Sequence, residues 1–173
     1  RRDENNSATT RDVYAQAESD IGRGWRVHGG IRASQVEFRG DDRFLANGDD
    51  SGSARYNAIN PTAGVVFRLS SSSSIYASYG RGFETPTLNE LAYRPDGSAG
   101  FNTALEPARS NNYEIGAKAA WSRTLRGTVA AFTIDTEDDI VVRTNAGGRS
   151  TFANAAATRR RSSDRRPSPR SSP

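Results

Sequence analysis

Trp25-Arg26-Val27-His28-Gly29-Gly30-Ile31-Arg32-Ala33-Ser34 puts Trp25, Val27, Gly29, Ile31 and Ala33 on one parity and Arg26, His28, Gly30, Arg32 and Ser34 on the other. Successive side chains of a strand point to opposite faces, so this stretch predicts a ribbon with one apolar and one polar side. The same alternation recurs along the chain. Upstream, Val13, Ala15 and Ala17 alternate with Tyr14, Gln16 and Glu18. Downstream, Pro61, Ala63, Val65, Phe67 and Leu69 oppose Thr62, Gly64 and Arg68, and Ile75, Ala77 and Tyr79 oppose Tyr76, Ser78 and Gly80. Tyr113, Ile115, Ala117, Ala119 and Trp121 then oppose Asn112, Glu114, Gly116, Lys118 and Ala120. In a sixth segment Thr128, Ala130, Phe132 and Ile134 are read as the apolar row, against Val129, Ala131, Thr133 and Asp135.

Soluble sandwiches alternate as well, so the connections decide between the two architectures. They are short at 21–24, 70–74 and 122–125 and long at 39–55 and 82–110. Barrels of the bacterial outer membrane have this rhythm, with tight turns at the periplasmic end and long loops outside. The aromatics agree. Trp25 and Trp121 each sit beside a short turn on the apolar parity, and Tyr113 lies eight positions before Trp121 on the same face. Eight residues at ~3.3 Å rise, tilted about 40°, span roughly 20 Å of bilayer, near the separation of two aromatic girdles. The expected fold is all-β: part of an antiparallel transmembrane β-barrel with about seven strands. Residues 1–10 are expected as a disordered or loop start, 11–158 as partial barrel, and 159–173 as an Arg/Ser/Pro-rich disordered tail. The alternative is a soluble β-rich interaction module with a basic disordered tail.

Apolar residues are 34% of the 173, which is low for a globular core but fits strands that meet lipid at every second residue. There is no run of ten apolar residues, so a spanning helix is excluded. With no methionine and no apolar leader at the start, the chain reads as processed or as a fragment. No cysteine means no disulfide and no thiolate site. Of the 24 basic and 20 acidic residues, six and one lie from Arg159 onward; the body holds 18 and 19, so its net charge is −1. The body therefore offers no basic stripe, and nucleic acid is not an expected partner. The tail's composition, in a chain with 23 Arg and one Lys, is what an out-of-frame reading of GC-rich DNA after Arg161 produces. A disordered arm for anionic partners is the other reading.

Little in the sequence carries bond-making chemistry, and an enzyme is not expected. His28 is the single histidine and is expected to be a polar, pore-facing residue. Asp135, Glu137, Asp138 and Asp139 lack the glycine and distal glutamate of a calcium loop and read as a solvated strand end. No nucleophile elbow, phosphate loop or dinucleotide fingerprint is present. Neither a cofactor nor a metal is expected. Thr85-Pro86-Thr87-Leu88-Asn89-Glu90-Leu91 is expected to start a brief helix in the longest loop.

Three elements in order carry a family resemblance. Tyr76-Ala77-Ser78-Tyr79-Gly80-Arg81-Gly82-Phe83-Glu84-Thr85-Pro86-Thr87-Leu88-Asn89-Glu90-Leu91 resembles the strand-and-loop signature of TonB-dependent outer-membrane receptors. Leu105-Glu106-Pro107-Ala108-Arg109-Ser110-Asn111-Asn112-Tyr113-Glu114-Ile115-Gly116 is similar to their L-x-P-E-x-S-x-x-Y-E-x-G element, with Ala108 where that family usually has glutamate. Asn145-Ala146-Gly147-Gly148-Arg149-Ser150-Thr151-Phe152-Ala153-Asn154-Ala155 resembles the loop and descending strand that follow. The resemblance implies a 22-stranded plugged barrel in the bacterial outer membrane, in contact with its lipid. It implies active import of a ferric siderophore or similar scarce nutrient, energised through TonB by regions this chain does not contain. Arg81, Glu84 and Arg94, at or in the longest loop, are candidates for touching an anionic ferric chelate. Ordinary salt bridging and hydration is the competing account of them.

Overall fold

The computed structural model describes residues 3–46, 48–146 and 148–169. They form strands β1 (Glu4–Gly22), β2 (Trp25–Asp42), β3 (Gly52–Arg68), β4 (Ser73–Glu84), β5 (Ala108–Ala120), β6 (Leu125–Ala146) and β7 (Arg149–Pro169). Each pairs antiparallel with its neighbour in sequence, giving one seven-stranded sheet that does not close on itself. The fold is all-β, an open arc of antiparallel barrel wall.

The short turns gather at one end, and their chemistry is local. Between Gly22 and Trp25, Arg23 and Gly24 have φ of 53° and 83°, the backbone of a two-residue hairpin turn matched to strand twist. At the serine turn, Leu69 N–H bonds the Ser73 carbonyl at 3.0 Å and the Ser70 and Ser73 hydroxyls meet at 2.8 Å. In the third turn the Ser122 hydroxyl accepts from the Thr124 and Leu125 amides at 3.2 and 3.0 Å.

Residues opposite one another in register share a face. One such row is Trp25, Phe67, Ile75, Ala117 and Val129. Around it lies an apolar field that nothing covers: Ile31 is 52% exposed, Ile59 61% and Ile115 64%. A soluble sandwich would bury these side chains under a second sheet. We call this the outer face. Trp25 and Phe67 stack near the turns, with ring centroids 4.5 Å apart; Tyr79 and Tyr113 stack higher up at 5.1 Å. The inner face is polar. Arg32 forms a bidentate pair with Asp12 (3.1 and 2.8 Å), and Arg26 does the same with Asp20 (2.7 and 3.0 Å). His28 lies on this face, as expected, over Gly64, which leaves its imidazole room.

Three expectations are corrected. In β6, Phe132 pairs opposite Glu114 while Val129 pairs opposite Ala117. Phe132 and Ile134 therefore face inward and Val129 and Ala131 outward; hydrogen-bonded register, not side-chain size, sets the face. Next, the predicted 1–10 start is largely strand, since β1 pairs with β2 from Glu4 onward. Finally, the segment from Arg159 runs on as β7 through Pro169 and pairs with β6. β7 is the sheet's last strand, and an edge tolerates prolines because their missing N–H costs no ladder bond there. Arg1, Arg2, Asn47, Gly147 and residues 170–173, included in the start, loop and tail expectations, lie outside the described residues.

Candidate functional site

β4 and β5 are short, whereas β2–β3 and β6–β7 rise well beyond them. β3 pairs with β4 only from Thr62 to Arg68, so its upper half, paired with β2 on one side, has no strand on the β4 side. Residues 85–107, the link from β4 to β5, fill this notch and pack on the inner face. Their expected helix shrinks to a single 3-10 turn, Glu90–Ala92. Thr87 and Glu90 bracket its start reciprocally: the Glu90 carboxylate accepts from Thr87 N–H at 2.7 Å, and the Thr87 hydroxyl accepts from Glu90 N–H at 3.3 Å.

The loop is held by a small core. Leu91 and Leu105 are fully buried with Phe38, Ala54 and Tyr56, and Phe83, Phe101 and Phe152 pack around them. Burying one leucine contributes roughly 1.5–3 kcal/mol. Gly40 and Gly52, opposite each other in register, make the floor for Phe101; a Cβ on either would come within 2.5 and 2.6 Å of its side chain. Polar tethers reach both flanking hairpins. Tyr56 donates to the Leu105 carbonyl at 3.0 Å, and burial with nearby Glu106 raises this phenol's pKa to about 12. Asn154 on β7 donates to the Glu106 carbonyl at 2.8 Å and the Asp138 carbonyl at 2.7 Å, and accepts from Glu106 N–H at 2.9 Å.

At the foot of this loop a groove of 640 Å³ crosses β4 to β7 on the inner face. Two register rows floor it: Gly82, Ser110, Thr136 and Thr158, then Gly80, Asn112, Ile134 and Arg160. Glu84 stands at its upper rim. Asn112 is held by the Gly80 carbonyl and the Ser110 hydroxyl, both at 3.1 Å. With Asp139 and Arg159, which also line it, the groove supplies hydroxyls, an amide, two cations and two carboxylates, which suits binding a polar ligand rather than breaking a bond in it.

The three sequence candidates are not brought together. Glu84 lines the groove. Arg94 is exposed in the loop, in a turn closed by Gly97 N–H to the Arg94 carbonyl at 2.9 Å. Arg81, opposite Asn111, shares the outer face with Tyr79 and Tyr113 and points away from the groove. One residue parity separates Arg81 from the groove-lining Gly82. Ser110, Asn112, Thr136, Thr158 and Arg160 were missed. The first two stand at alternate positions inside the L-x-P element and were legible there; the others needed the β6 and β7 register. The four acidic residues do not gather: Asp135 pairs with Arg159, and Thr158 donates to Asp139 at 3.4 Å. Among the described residues no group of three or more His, Cys, Asp or Glu is placed to hold a metal ion.

Comparison with known proteins gives a consistent answer. The family described as "TonB dependent receptor-like, beta-barrel" matches residues 1–162. The catecholate siderophore receptor Fiu of Escherichia coli strain UTI89 is 25% identical over 158 residues, covering 79% of this chain and 21% of that protein. The crystal structure of the ferric-catecholate import receptor Fiu from K12 E. coli superposes with a TM-score of 0.74 at 22% identity, over 98% of this chain and 26% of that one. The Serratia marcescens hemophore receptor HasR, solved with its hemophore and heme, gives 0.75 at 18% identity, over 95% and 32%. The chain thus spans about a fifth of the curated relatives' length.

Proposed function

Because this chain belongs to the TonB-dependent receptor-like β-barrel family, we propose that it forms part of the wall and outer mouth of a receptor that captures a ferric siderophore for active import. The family resides in the outer membrane of Gram-negative bacteria and consists of receptors and transporters. The short-turn end then lies in the periplasm, and the tethered loop stands at the extracellular mouth. The observation that carries the reading is the inner-face groove beneath that loop, polar, roomy and open to the pore.

A ferric catecholate is the favoured cargo, since the curated relative at 25% identity is a catecholate siderophore receptor. Such a chelate is a polyanion with an aromatic rim and an amide-bearing scaffold. Arg160 in the groove and Arg94 above it would meet its charge. Ser110, Asn112 and Glu84 would take its hydroxyl and amide groups. Import would be driven through TonB by regions outside this chain. The outer face would only anchor the wall in lipid.

Uptake of radiolabelled iron by iron-starved cells, with and without the intact receptor, tests this. The iron is offered as a catecholate, a hydroxamate or heme. Receptor-dependent uptake of the catecholate alone is expected, falling severalfold in Arg160→Ala with Glu84→Ala. Heme or hydroxamate uptake would reassign the cargo. Undiminished catecholate uptake in the double variant would remove the groove from the mechanism.

A further inference from the structure

Among the described residues, Arg23 and Asp138 are the non-glycine positions with positive φ. Arg23 sits in a hairpin turn, which calls for that backbone. Asp138 lies inside β6, with φ 57°. Pairing with β7 passes from Glu137–Ala157 to Asp139–Ala155 with no Asp138–Ala156 pair between them. The Asp138 carbonyl accepts instead from the Asn154 side chain at 2.7 Å. A left-handed residue within a strand bends it and re-aims the neighbouring side chains, a device that recurs beside binding sites.

Asp139 shows the effect. Val129, Ala131, Thr133, Asp135 and Glu137 form the outer row of β6, and a regular strand would add Asp139 to it. Asp139 lines the inner-face groove instead and accepts from the Thr158 hydroxyl at 3.4 Å. It is half-buried, whereas Glu137 is exposed. The groove's charges do not cancel. Arg159 is met by Asp135. Among the described residues, no side chain pairs with Glu84 or Arg160, and Asp139 has only the Thr158 hydroxyl. Two carboxylates, Glu84 and Asp139, against the one guanidinium of Arg160 leave a net charge of −1. A guest that is anionic all round would meet repulsion from both carboxylates. A guest with a cationic N–H group on its scaffold would satisfy them and leave its anionic part for Arg160.

We propose that Asp139, turned into the groove by the left-handed backbone of Asp138, selects an iron chelate whose scaffold carries a protonated amine. The ammonium donates to Asp139 and Glu84, and the chelate's oxygens face Arg160. Asp139 touches the cargo; Asp138 is a positioning residue that acts through it. The inference rests on the import reading above and narrows its cargo to chelates of mixed charge.

The test uses iron-starved cells carrying the intact receptor. Radiolabelled iron is offered on a synthetic tris-catecholate with a free amine on its scaffold, or on the same chelator with that amine acetylated. Wild type should show about a tenfold lower KM for the amine form, the worth of one charge-assisted hydrogen bond. Asp139→Asn leaves the backbone alone and should bring the two KM values within about twofold, at an unchanged maximal rate. Asp138→Gly keeps the left-handed backbone and should retain the preference. Asp138→Val, whose branched side chain opposes positive φ, should lose it as Asp139→Asn does. Equal KM values in wild type would overturn the proposal, as would a preference that survives in Asp139→Asn. A loss in Asp138→Gly as complete as in Asp138→Val would overturn the role of the backbone. Uptake of neither chelate by wild type would remove the import reading itself.

Discussion

Asn154→Ala removes the bracket that ties the long loop to β7. The amide makes three hydrogen bonds: to the Glu106 carbonyl at 2.8 Å, to the Asp138 carbonyl at 2.7 Å, and from Glu106 N–H at 2.9 Å. A net intramolecular hydrogen bond is worth ~0.5–1.5 kcal/mol, and two of these are partly wetted, so the low end applies to them. The Asp138 bond lies within the wall, so the loss for loop closure is the two bonds to Glu106, about 1 kcal/mol, or roughly fivefold in the opening equilibrium. Hydrogen-exchange mass spectrometry of the intact receptor reads this directly. Peptides spanning 88–107 should exchange about five times faster, while peptides from β4 and β5 keep their protection. Asn154→Asp keeps the acceptor for Glu106 N–H and loses both donors, so it should fall between the two. If loop exchange in the Ala variant stays within twofold of wild type, the tether carries no weight, and the Leu91–Leu105 core alone closes the loop.

Other outcomes follow from the same geometry. Gly52→Val drives a branched side chain into Phe101, 2.6 Å from where a Cβ would sit, and should expose the loop to protease without impairing barrel assembly. Ile115→Arg places a charge in the outer apolar field and should destabilise insertion into vesicles by ~2–4 kcal/mol near mid-membrane, measured by urea titration; a shift below 0.5 kcal/mol would mean that face meets no lipid. Asp96 accepts from the Ser98 hydroxyl and N–H, which holds its carboxyl below the ordinary 3.8. Its turn is therefore fully stabilised above that value and loses the contribution as pH falls through the depressed pKa; carboxyl chemical shifts titrating at or above 3.8 would contradict this. The frameshift expected after Arg161 requires another frame of the genomic DNA to encode an alternating strand, and sequencing that finds none removes it.

The wall was legible because a barrel strand has water on one side and lipid on the other, and the alternation of Trp25 to Ser34 records that difference residue by residue. Legibility ended where the difference ends. Above Ala33 and Ile59 the outer face turns polar and the inner face packs under the loop at Phe38, Ala54 and Tyr56, so the apolar parity of β2 and β3 inverts and the strands no longer read as a continuation of the same ribbon. Phe132 misled for a related reason: an apolar side chain on the inner face has the same local sequence signature as one on the lipid face, and only its pairing opposite Glu114 separates them. The loop core was out of reach because its parts are distant in sequence. Phe101 rests on Gly40 and Gly52, and Leu105 receives the Tyr56 hydroxyl from 49 positions away. The glycines were the available signal. Gly40 and Gly52 flank one long connection at equal depth, and a pair of bare positions across a hairpin is a floor that wants an occupant. His28 over Gly64 and the Tyr76 ring over Gly116 repeat the device lower on the same face. All three couplings lie inside the barrel, where a bulky side chain needs a bare neighbour to lie flat and leave the pore open. Reading His28 against Gly64 and Tyr76 against Gly116 would have marked the inner face of β2 to β5 ahead of its loops.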